Sequence, residues 1–586
     1  MQDTPRLSRR SFLQGSAAAA ALAAAGLPAA AAAPEQERGL LRRVSPQVQT
    51  RSGPVQGQQE QGCLAFYSIP YGEAPGGEGR WQAPLDPAPW TALRDCTSPG
   101  PEASQYRCGL SGVEDCLRLD VYTAPDARRW PVLVFLHSGG NQTGSAQELR
   151  GHRLVDRAGC VVVSVDYRLG LLGFNCLPAL CTAPDATGNF ALLDIARALD
   201  WVRENIAAFG GDPDNLTLAG FEAGGRNVLA MLASPLGQGR FHRAVSLSGG
   251  MTTARPQPSA RGIAAACAPL AVEDGLFSAE EEAAAWLLTP DPAVRRWLCG
   301  LDVARLAPVM SNAEDRMEAF PHLYADGVSL PEQGFEAPLA NPVPLMLVTG
   351  CTEFSLTALW AAAPATLPAQ PTVLPAGEEE VQFAVRYGSE LARIFNTQHT
   401  AQVLADTGCT APVYLCQVNY GAPDSRRPIP TVGSFLGVAL PMLTDDHSYN
   451  LLHDFSAAGY QQMADRFCGY LARFMAGGAP GRGGQLTQPD WPRWTPGQPL
   501  SLVLDASDTE SFAQVEPVGA DVDQLLRRMQ EDPLDRDSKR YILEHILGGR
   551  FFSQPLDGLE VCRRLRFPKS YGLLFVYSSD ILFLLP

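Results

Sequence analysis

Short apolar runs alternate with amphipathic stretches along residues 53–520. Residues 132–136 (VLVFL) are continuously apolar and are followed closely by two glycines, which is typical of a buried parallel strand that ends in a loop. Residues 160–165 (CVVVSV) and 215–219 (NLTLA) are two further strand candidates. Between them, the apolar residues of 192–206 recur at helical spacing. This order predicts an α/β fold, with a mostly parallel central sheet that is flanked by helices.

The first residues of the chain predict an export signal. Residues 8–13 (SRRSFL) resemble the twin-arginine motif, an alanine-rich stretch follows, and small residues near Ala33 offer a cleavage site. The apolar stretch is too short and too rich in alanine for a stable membrane span. We therefore expect export to the periplasm or the extracellular space. A cytoplasmic leader or an uncleaved anchor is the alternative.

The pattern divides the chain into three parts. We predict an export signal over residues 1–33, one large α/β domain over 34–520 and a C-terminal extension over 521–586. Apolar residues at helical spacings predict helices within 522–549, and the end of the chain is apolar. Both lysines of the chain lie in this extension. A covering helix, a dimer contact and a frame-shifted terminus are three explanations that fit it.

Composition and charge narrow the classes of function. The chain has 62 acidic and 46 basic residues and a net charge of −16. This excess argues against a nucleic-acid partner, because binding to phosphates depends on Lys and Arg. It is compatible with attraction of a cationic ligand. The sequence contains no His, Cys, Asp or Glu residues at the spacing of metal ligands, no phosphate-binding loop and no nucleotide-binding motif. No cofactor and no metal are therefore expected.

The cysteines permit disulfide bonds without requiring them. All fourteen follow the export signal, and an exported protein meets oxidising conditions. The favoured bridge ends at Cys116, with Cys96 or Cys108 as its partner. The sequence alone does not choose between these two pairings.

Several motifs follow one another in a fixed order along residues 53–504. They are residues 68–71 (SIPY), 114–119 (EDCLRL), 166–170 (DYRLG), 188–194 (GNFALLD), 210–213 (GGDP) and 248–249 (SG). Together they resemble the carboxylesterase type B family, which includes the cholinesterases. The resemblance implies the α/β-hydrolase fold. It also implies ester hydrolysis by an activated serine, a histidine base, an acid that orients the histidine, and an oxyanion hole.

Two of the residues that this chemistry needs are different in this chain. The family's serine lies in a strand-to-helix turn of sequence G-x-S-x-G. Residues 220–224 read GFEAG, so the glycines are kept and Glu222 takes the serine position. In the block that carries the family's histidine, Leu436 takes the histidine position. His447 and His453 follow in what reads as a polar, surface-like context, so neither is favoured as a substitute base.

The remaining parts of the site are predicted to be present. Glu353 follows a strand-like run and matches the position of the family's acid, although an ordinary loop glutamate is the alternative. Residues 137–140 (HSGG) resemble the family's glycine-rich loop. The backbone N–H groups of Gly139, Gly140 and Ala223 would then form the oxyanion hole.

Three roles are open for Glu222. It could act as a substitute nucleophile. Alternatively, its carboxylate could fold back into the oxyanion hole, where hydrogen-bond donors and a helix N-terminus favour an anion. It could also be the counter-charge of a cationic ligand. Loss of function by drift is the simpler explanation beside all three.

We therefore expect an exported carboxylesterase homologue that is catalytically silent, a pseudoenzyme with a binding or structural role. Its expected partner is a small ester, a cationic ligand or another protein. The alternative is a hydrolase that acts on small carboxylic esters through a non-standard site. The altered residues favour the first function, whereas family resemblance alone favours the second.

Overall fold

A computed structural model describes most of the chain. It covers residues 45–74, 76–106, 109–182, 186–310, 321–362, 378–430, 432–445, 453–553 and 556. The predicted export signal over residues 1–33 lies outside the described residues, as do Cys108 and His447.

The described residues form sixteen strands. They are β1 Gln47–Gln49, β2 Pro54–Gln56, β3 Gln58–Glu60, β4 Cys63–Pro70, β5 Arg94–Asp95, β6 Gln105–Tyr106, β7 Leu110–Ser111, β8 Arg118–Thr123, β9 Trp130–Leu136, β10 Val161–Val165, β11 Gly211–Phe221, β12 Arg243–Leu247, β13 Leu345–Gly350, β14 Val413–Val418, β15 Leu500–Ala506 and β16 Ser511–Pro517. Strands β10 and β13 are buried along their whole length. This agrees with their largely apolar sequences, because a strand covered on both faces has no side that favours polar residues.

One large sheet organises the molecule. Within the described part of the chain it has eleven strands, in the order β16-β15-β14-β13-β12-β11-β9-β10-β8-β4-β3. The six pairings from β10 through β9, β11, β12, β13 and β14 to β15 are parallel. The four pairings at the two ends are antiparallel. The predicted mostly parallel central sheet is therefore confirmed.

Helices cover both faces of this sheet. They are α1 His152–Ala158, α2 Gly170–Gly173, α3 Phe190–Asn205, α4 Ala223–Ala233, α5 Pro256–Glu273, α6 Glu280–Leu287, α7 Pro292–Gly300, α8 Val303–Leu306, α9 Ser355–Ala362, α10 Glu378–Ile394, α11 Thr400–Asp406, α12 Ala458–Gly477, α13 Val522–Glu531 and α14 Arg536–Tyr541. Trp201 of α3 belongs to one large apolar cluster and Phe467 of α12 to another. Both side chains are fully buried, so each helix packs its apolar face inward. No helix in the described ranges is long and apolar enough to cross a membrane.

The C-terminal extension packs against the rest of the protein. Helices α13 and α14 are followed by a π-helical turn, Ile542–Leu547. Leu525 of α13 and Ile546 of this turn are buried in a third apolar cluster, together with Leu391 of α10. Residues 557–586 lie outside the described ranges.

The structure bears on one of the two disulfide pairings that the sequence left open, the pairing of Cys96 with Cys116. Cys96 and Cys116 are both buried free thiols, so no bridge joins them, and Cys108 is outside the described residues. Burial raises the pKa of Cys96 to about 11 and that of Cys116 well above its usual value. Both groups are therefore kept as protonated thiols, which are poor nucleophiles for disulfide formation.

Candidate functional site

A sharp turn joins β11 to α4 at Glu222. This residue has φ 49° and ψ −108°, a backbone conformation that is strained for a side chain other than glycine. Glycine is needed at positions 220 and 224 because neighbouring backbone atoms leave no room for a side chain. A Cβ atom on Gly220 would lie 2.4 Å from the carbonyl carbon of Gly224, and one on Gly224 would lie 2.1 Å from the carbonyl oxygen of Leu136. The turn thus presents the Glu222 side chain at the C-terminal edge of the parallel strands.

The Glu222 carboxylate has two charge-assisted contacts. Its Oε2 accepts a hydrogen bond of 2.9 Å from the backbone N–H of Gly140. Its Oε1 accepts one of 2.8 Å from Nη2 of Arg226, one turn later in α4. Arg226 is 3% exposed and the Glu222 side chain 18% exposed. The anion is further favoured by its place at the N-terminus of α4.

The loop that carries Gly139 and Gly140 is fixed by its own contacts. Gly139 has φ +95°, and a Cβ there would lie 2.2 Å from the carbonyl oxygen of Thr143. The backbone N–H of Ser138 donates to Glu148 Oε2 at 2.7 Å, and its hydroxyl donates to the same carboxylate. Ala223, the third predicted donor, is the fully buried first residue of α4. The structure therefore brings Glu222, Gly140 and Ala223 together.

Glu353 follows β13 and is buried, with 4% of its surface exposed. Its Oε1 accepts hydrogen bonds from the Ser248 hydroxyl and, at 2.7 Å, from the Gly350 N–H. Its Oε2 accepts a 2.7 Å bond from Asn396 Nδ2. Burial raises the pKa of this carboxyl, although its hydrogen bonds act in the opposite direction. Both oxygens of Glu353 are thus already engaged.

Leu436 lies in the loop beside Glu353. The two loops are joined because the Thr352 N–H donates to the Ser434 carbonyl at 2.9 Å. The Leu436 side chain is half-buried and packs against the apolar cluster that includes Phe467. A leucine side chain can neither accept nor donate a proton, so it offers no base at this position.

His453 does not have the surface-like context that the sequence suggested. It is 2% exposed, and its Nε2 lies 2.8 Å from the carbonyl oxygen of Gly433. Burial lowers its pKa to about 4, so the ring is neutral at ordinary pH. It stacks on Phe455 with 5.3 Å between the ring centroids. The expectation was wrong because chain neighbours do not reveal the aromatic residues that fold around this ring.

The first half of the chain is similar in sequence to known proteins. Residues 44–295 match the model of the carboxylesterase family. This segment is similar to proteins of the carboxylesterase family. It is 38% identical over 240 residues to the para-nitrobenzyl esterase of Bacillus subtilis strain 168, and the match covers 39% of this chain and 48% of that protein. It is also 37% identical over 250 residues to carboxylesterase 3 of Homo sapiens, covering 38% and 43% respectively. The matched part therefore spans about half the length of these relatives or less.

Solved carboxylesterase structures extend the likeness to the whole fold. A PNB esterase superposes with a TM-score of 0.60 at 24% identity, covering 80% of this chain and 98% of that one. A thermophilic PNB esterase gives a TM-score of 0.62 at 24% identity, with the same coverage. The fold is that of the α/β hydrolases, as the sequence motifs implied.

Several residues near this candidate site were not found from the sequence. Arg226 had a local signal, because an acid and a base four residues apart on a helix lie on one face. Ser248 lies in the SG motif at 248–249, but the motif did not assign it to the site, and Asn396 had no signal. Both meet Glu353 only through the fold. No group of His, Cys, Asp and Glu that could hold a metal is present among the described residues.

Proposed function

We propose that this chain is an exported carboxylesterase homologue that does not hydrolyse esters and has a binding or structural role. The observation that carries the proposal is the 2.9 Å hydrogen bond from Gly140 N–H to the Glu222 carboxylate. In an active family member, this N–H would stabilise the oxyanion of the reacting ester. Here it is engaged by a carboxylate of the protein itself.

The energies of its hydrogen bond and ion pair favour the Glu222 carboxylate as the group that occupies the oxyanion hole. A hydrogen bond to a charged acceptor contributes about 1.5–3 kcal/mol, more than a bond to a neutral ester carbonyl. The bound carboxylate is also paired with Arg226, so a substrate would have to displace an anion that has two partners. A neutral ester would form a weaker hydrogen bond with Gly140 and no ion pair with Arg226. It would therefore not recover the free energy that is lost when the carboxylate is displaced.

The other roles considered for Glu222 fit the contacts less well. A covalent ester on Glu222 would need an activated water for its release, and Leu436 supplies no base for that step. A counter-charge for a cationic ligand would need a free carboxylate, whereas Glu222 is already neutralised by Arg226. The contacts therefore argue against a small ester or a cation as the ligand of this site.

The test is the hydrolysis of a short activated acyl ester by the purified mature protein. Wild type is compared with E222S, with E222S/L436H and with E222A/L436H, which has the new histidine but no nucleophile. We expect wild type to match E222A/L436H. We expect E222S/L436H to exceed both by about 100-fold or more, the least that general base catalysis contributes.

The competing function is ester hydrolysis through a non-standard site, and the names of the esterase relatives favour it. Under that function wild type turns over the ester, and E222A alone abolishes the activity. Such a result overturns the proposal and makes Glu222 a catalytic residue.

A further inference from the structure

Phe551, near the end of the described chain, lies directly on Arg226. The guanidinium carbon of Arg226 is 3.4 Å from the centroid of the Phe551 ring, which is close enough for a cation–π contact. The ring of His322 also contacts Phe551, with 5.3 Å between centroids. Phe551 is 5% exposed, Arg226 3% and His322 1%, so these three side chains enclose one another.

The neighbours of Phe551 reach the second loop of the candidate site. The ring of Phe552 meets that of Phe354 at 5.4 Å, and the guanidinium of Arg550 lies 5.1 Å from the same Phe354 ring. Phe354 directly follows Glu353, the residue at the acid position. Residues Arg550–Ser553 therefore contact both sides of the site, through the partner of Glu222 and through the neighbour of Glu353.

Hydrogen bonds tie this segment to the turn that precedes it and fix its own backbone. Arg550 Nε donates to the Ile546 carbonyl at 2.7 Å, and the Arg550 N–H donates to the Ser553 hydroxyl at 2.9 Å. The preceding turn, Ile542–Leu547, is packed into the apolar cluster shared with α10. The segment is thus held in a fixed conformation as it passes the site.

We propose that residues Arg550–Ser553 form an intramolecular cover over Arg226 at the candidate site, and that Phe551 is the residue that shields Arg226 from solvent. Arg226 is held between the Glu222 carboxylate on one side and the Phe551 ring on the other. The cover keeps the Arg226 side of this ion pair out of water, where screening would weaken the pair. Phe551 can shield Arg226 whether the site beside it is active or silent, so this role does not depend on the proposed function.

The test measures whether Arg226 becomes accessible when the cover is removed. The full-length mature protein is treated with phenylglyoxal, an arginine reagent, and modification of Arg226 is followed by peptide mass spectrometry. We expect F551A to raise the rate of modification of Arg226 at least tenfold over wild type. F551L, which keeps most of the volume but no ring face, is expected to give a smaller rise, and F551Y the wild-type rate.

Two matched controls separate uncovering from general loosening. Phe552→Ala removes a buried ring of the same size that packs on Phe354. Phe512→Ala removes a ring that lies 4.6 Å from the guanidinium of Arg426, away from the site. Both are expected to leave the modification of Arg226 close to the wild-type rate.

The proposal is overturned if F551A leaves Arg226 as unreactive as in wild type, or if F552A and F512A raise its reactivity equally. If F551A fails to fold, which uniform reaction of all arginines would reveal, F551L decides the question. An unchanged rate in folded F551L then counts against the cover, and a raised rate supports it.

Discussion

The Glu222 carboxylate and the Arg226 guanidinium form a pair that is mostly withdrawn from water. The arginine is 3% exposed and is covered by the Phe551 ring, whereas the carboxylate keeps 18% of its surface exposed. Removal of one member of such a pair leaves the other charge partly buried and without its counter-charge. The contact therefore matters more to folding than its position within a single helix suggests.

We expect Arg226→Ala to lower the free energy of unfolding by about 2 kcal/mol. This is less than the ~3–5 kcal/mol typical of fully buried pairs, because Glu222 is partly solvated. Arg129→Ala is the control, since its ion pair with Asp212 has an arginine that is 72% exposed. That change should cost less than ~1 kcal/mol. Urea unfolding of both variants gives the comparison, and equal losses would contradict the assigned burial.

The turn between β11 and α4 depends on the close approach of its own backbone to β9. Gly224, the second residue of α4, lies against the carbonyl oxygens of Leu136 and His137. A side chain there would push the helix away from the strand. The turn thus positions the backbone of Glu222 through close packing at its glycines, rather than through contacts between side chains.

Gly224→Ala should destabilise the fold by about 2 kcal/mol or more, because its Cβ would meet backbone that cannot rotate away. Gly300→Ala is the matched control. Gly300 lies in α7 with nothing within 4 Å of its added Cβ. There alanine should stabilise the protein by about 0.5–1 kcal/mol, since it restricts the unfolded chain. Thermal denaturation should show a lower midpoint for the first variant and a higher one for the second.

Buried carboxyl groups make the stability of the whole molecule depend on pH. Burial raises the pKa of Asp120 to about 7 and the pKa values of Asp166 and Glu353 above the usual range. The folded state therefore holds protons that the unfolded chain releases near pH 4. For Asp120 this contribution to stability is complete below pH 4 and is lost as the pH rises through about 7. For Asp166 and Glu353 the contribution is likewise lost as the pH rises, because their pKa values are raised in the folded state.

Asp120→Asn removes the contribution of one such group. Between pH 5 and pH 7, the free energy of unfolding of D120N should rise relative to wild type by about 2 kcal/mol, close to the limit of ~1.4 kcal/mol per pH unit for one proton. The exposed Asp424 provides the control, and D424N should show no such rise. Urea unfolding at the two pH values tests this, and parallel curves for D120N and wild type would contradict it.

The fold could be predicted from the sequence because its signals are local. Apolar runs such as those of β9 and β10 specify buried strands within a few residues, and the glycines around Glu222 specify a turn whose space is limited by adjacent backbone. The prediction for His453 failed for the opposite reason. Its burial depends on Phe435 and Phe455 together with the Gly433 carbonyl, which local polarity does not reveal.

The sequence by itself therefore determined the α/β-hydrolase fold, the strand-to-helix turn and the presence of a glutamate within it. Only the tertiary structure decided which groups that glutamate contacts. Its hydrogen bond with Gly140 joins residues 82 positions apart, and Arg226, its partner, is covered by Phe551 from the C-terminal segment. Such contacts arise when strands and helices pack, because side chains far apart along the chain then share one low-dielectric site. The positions of Gly140 and Phe551 along the sequence do not reveal that they lie close to Glu222 and Arg226.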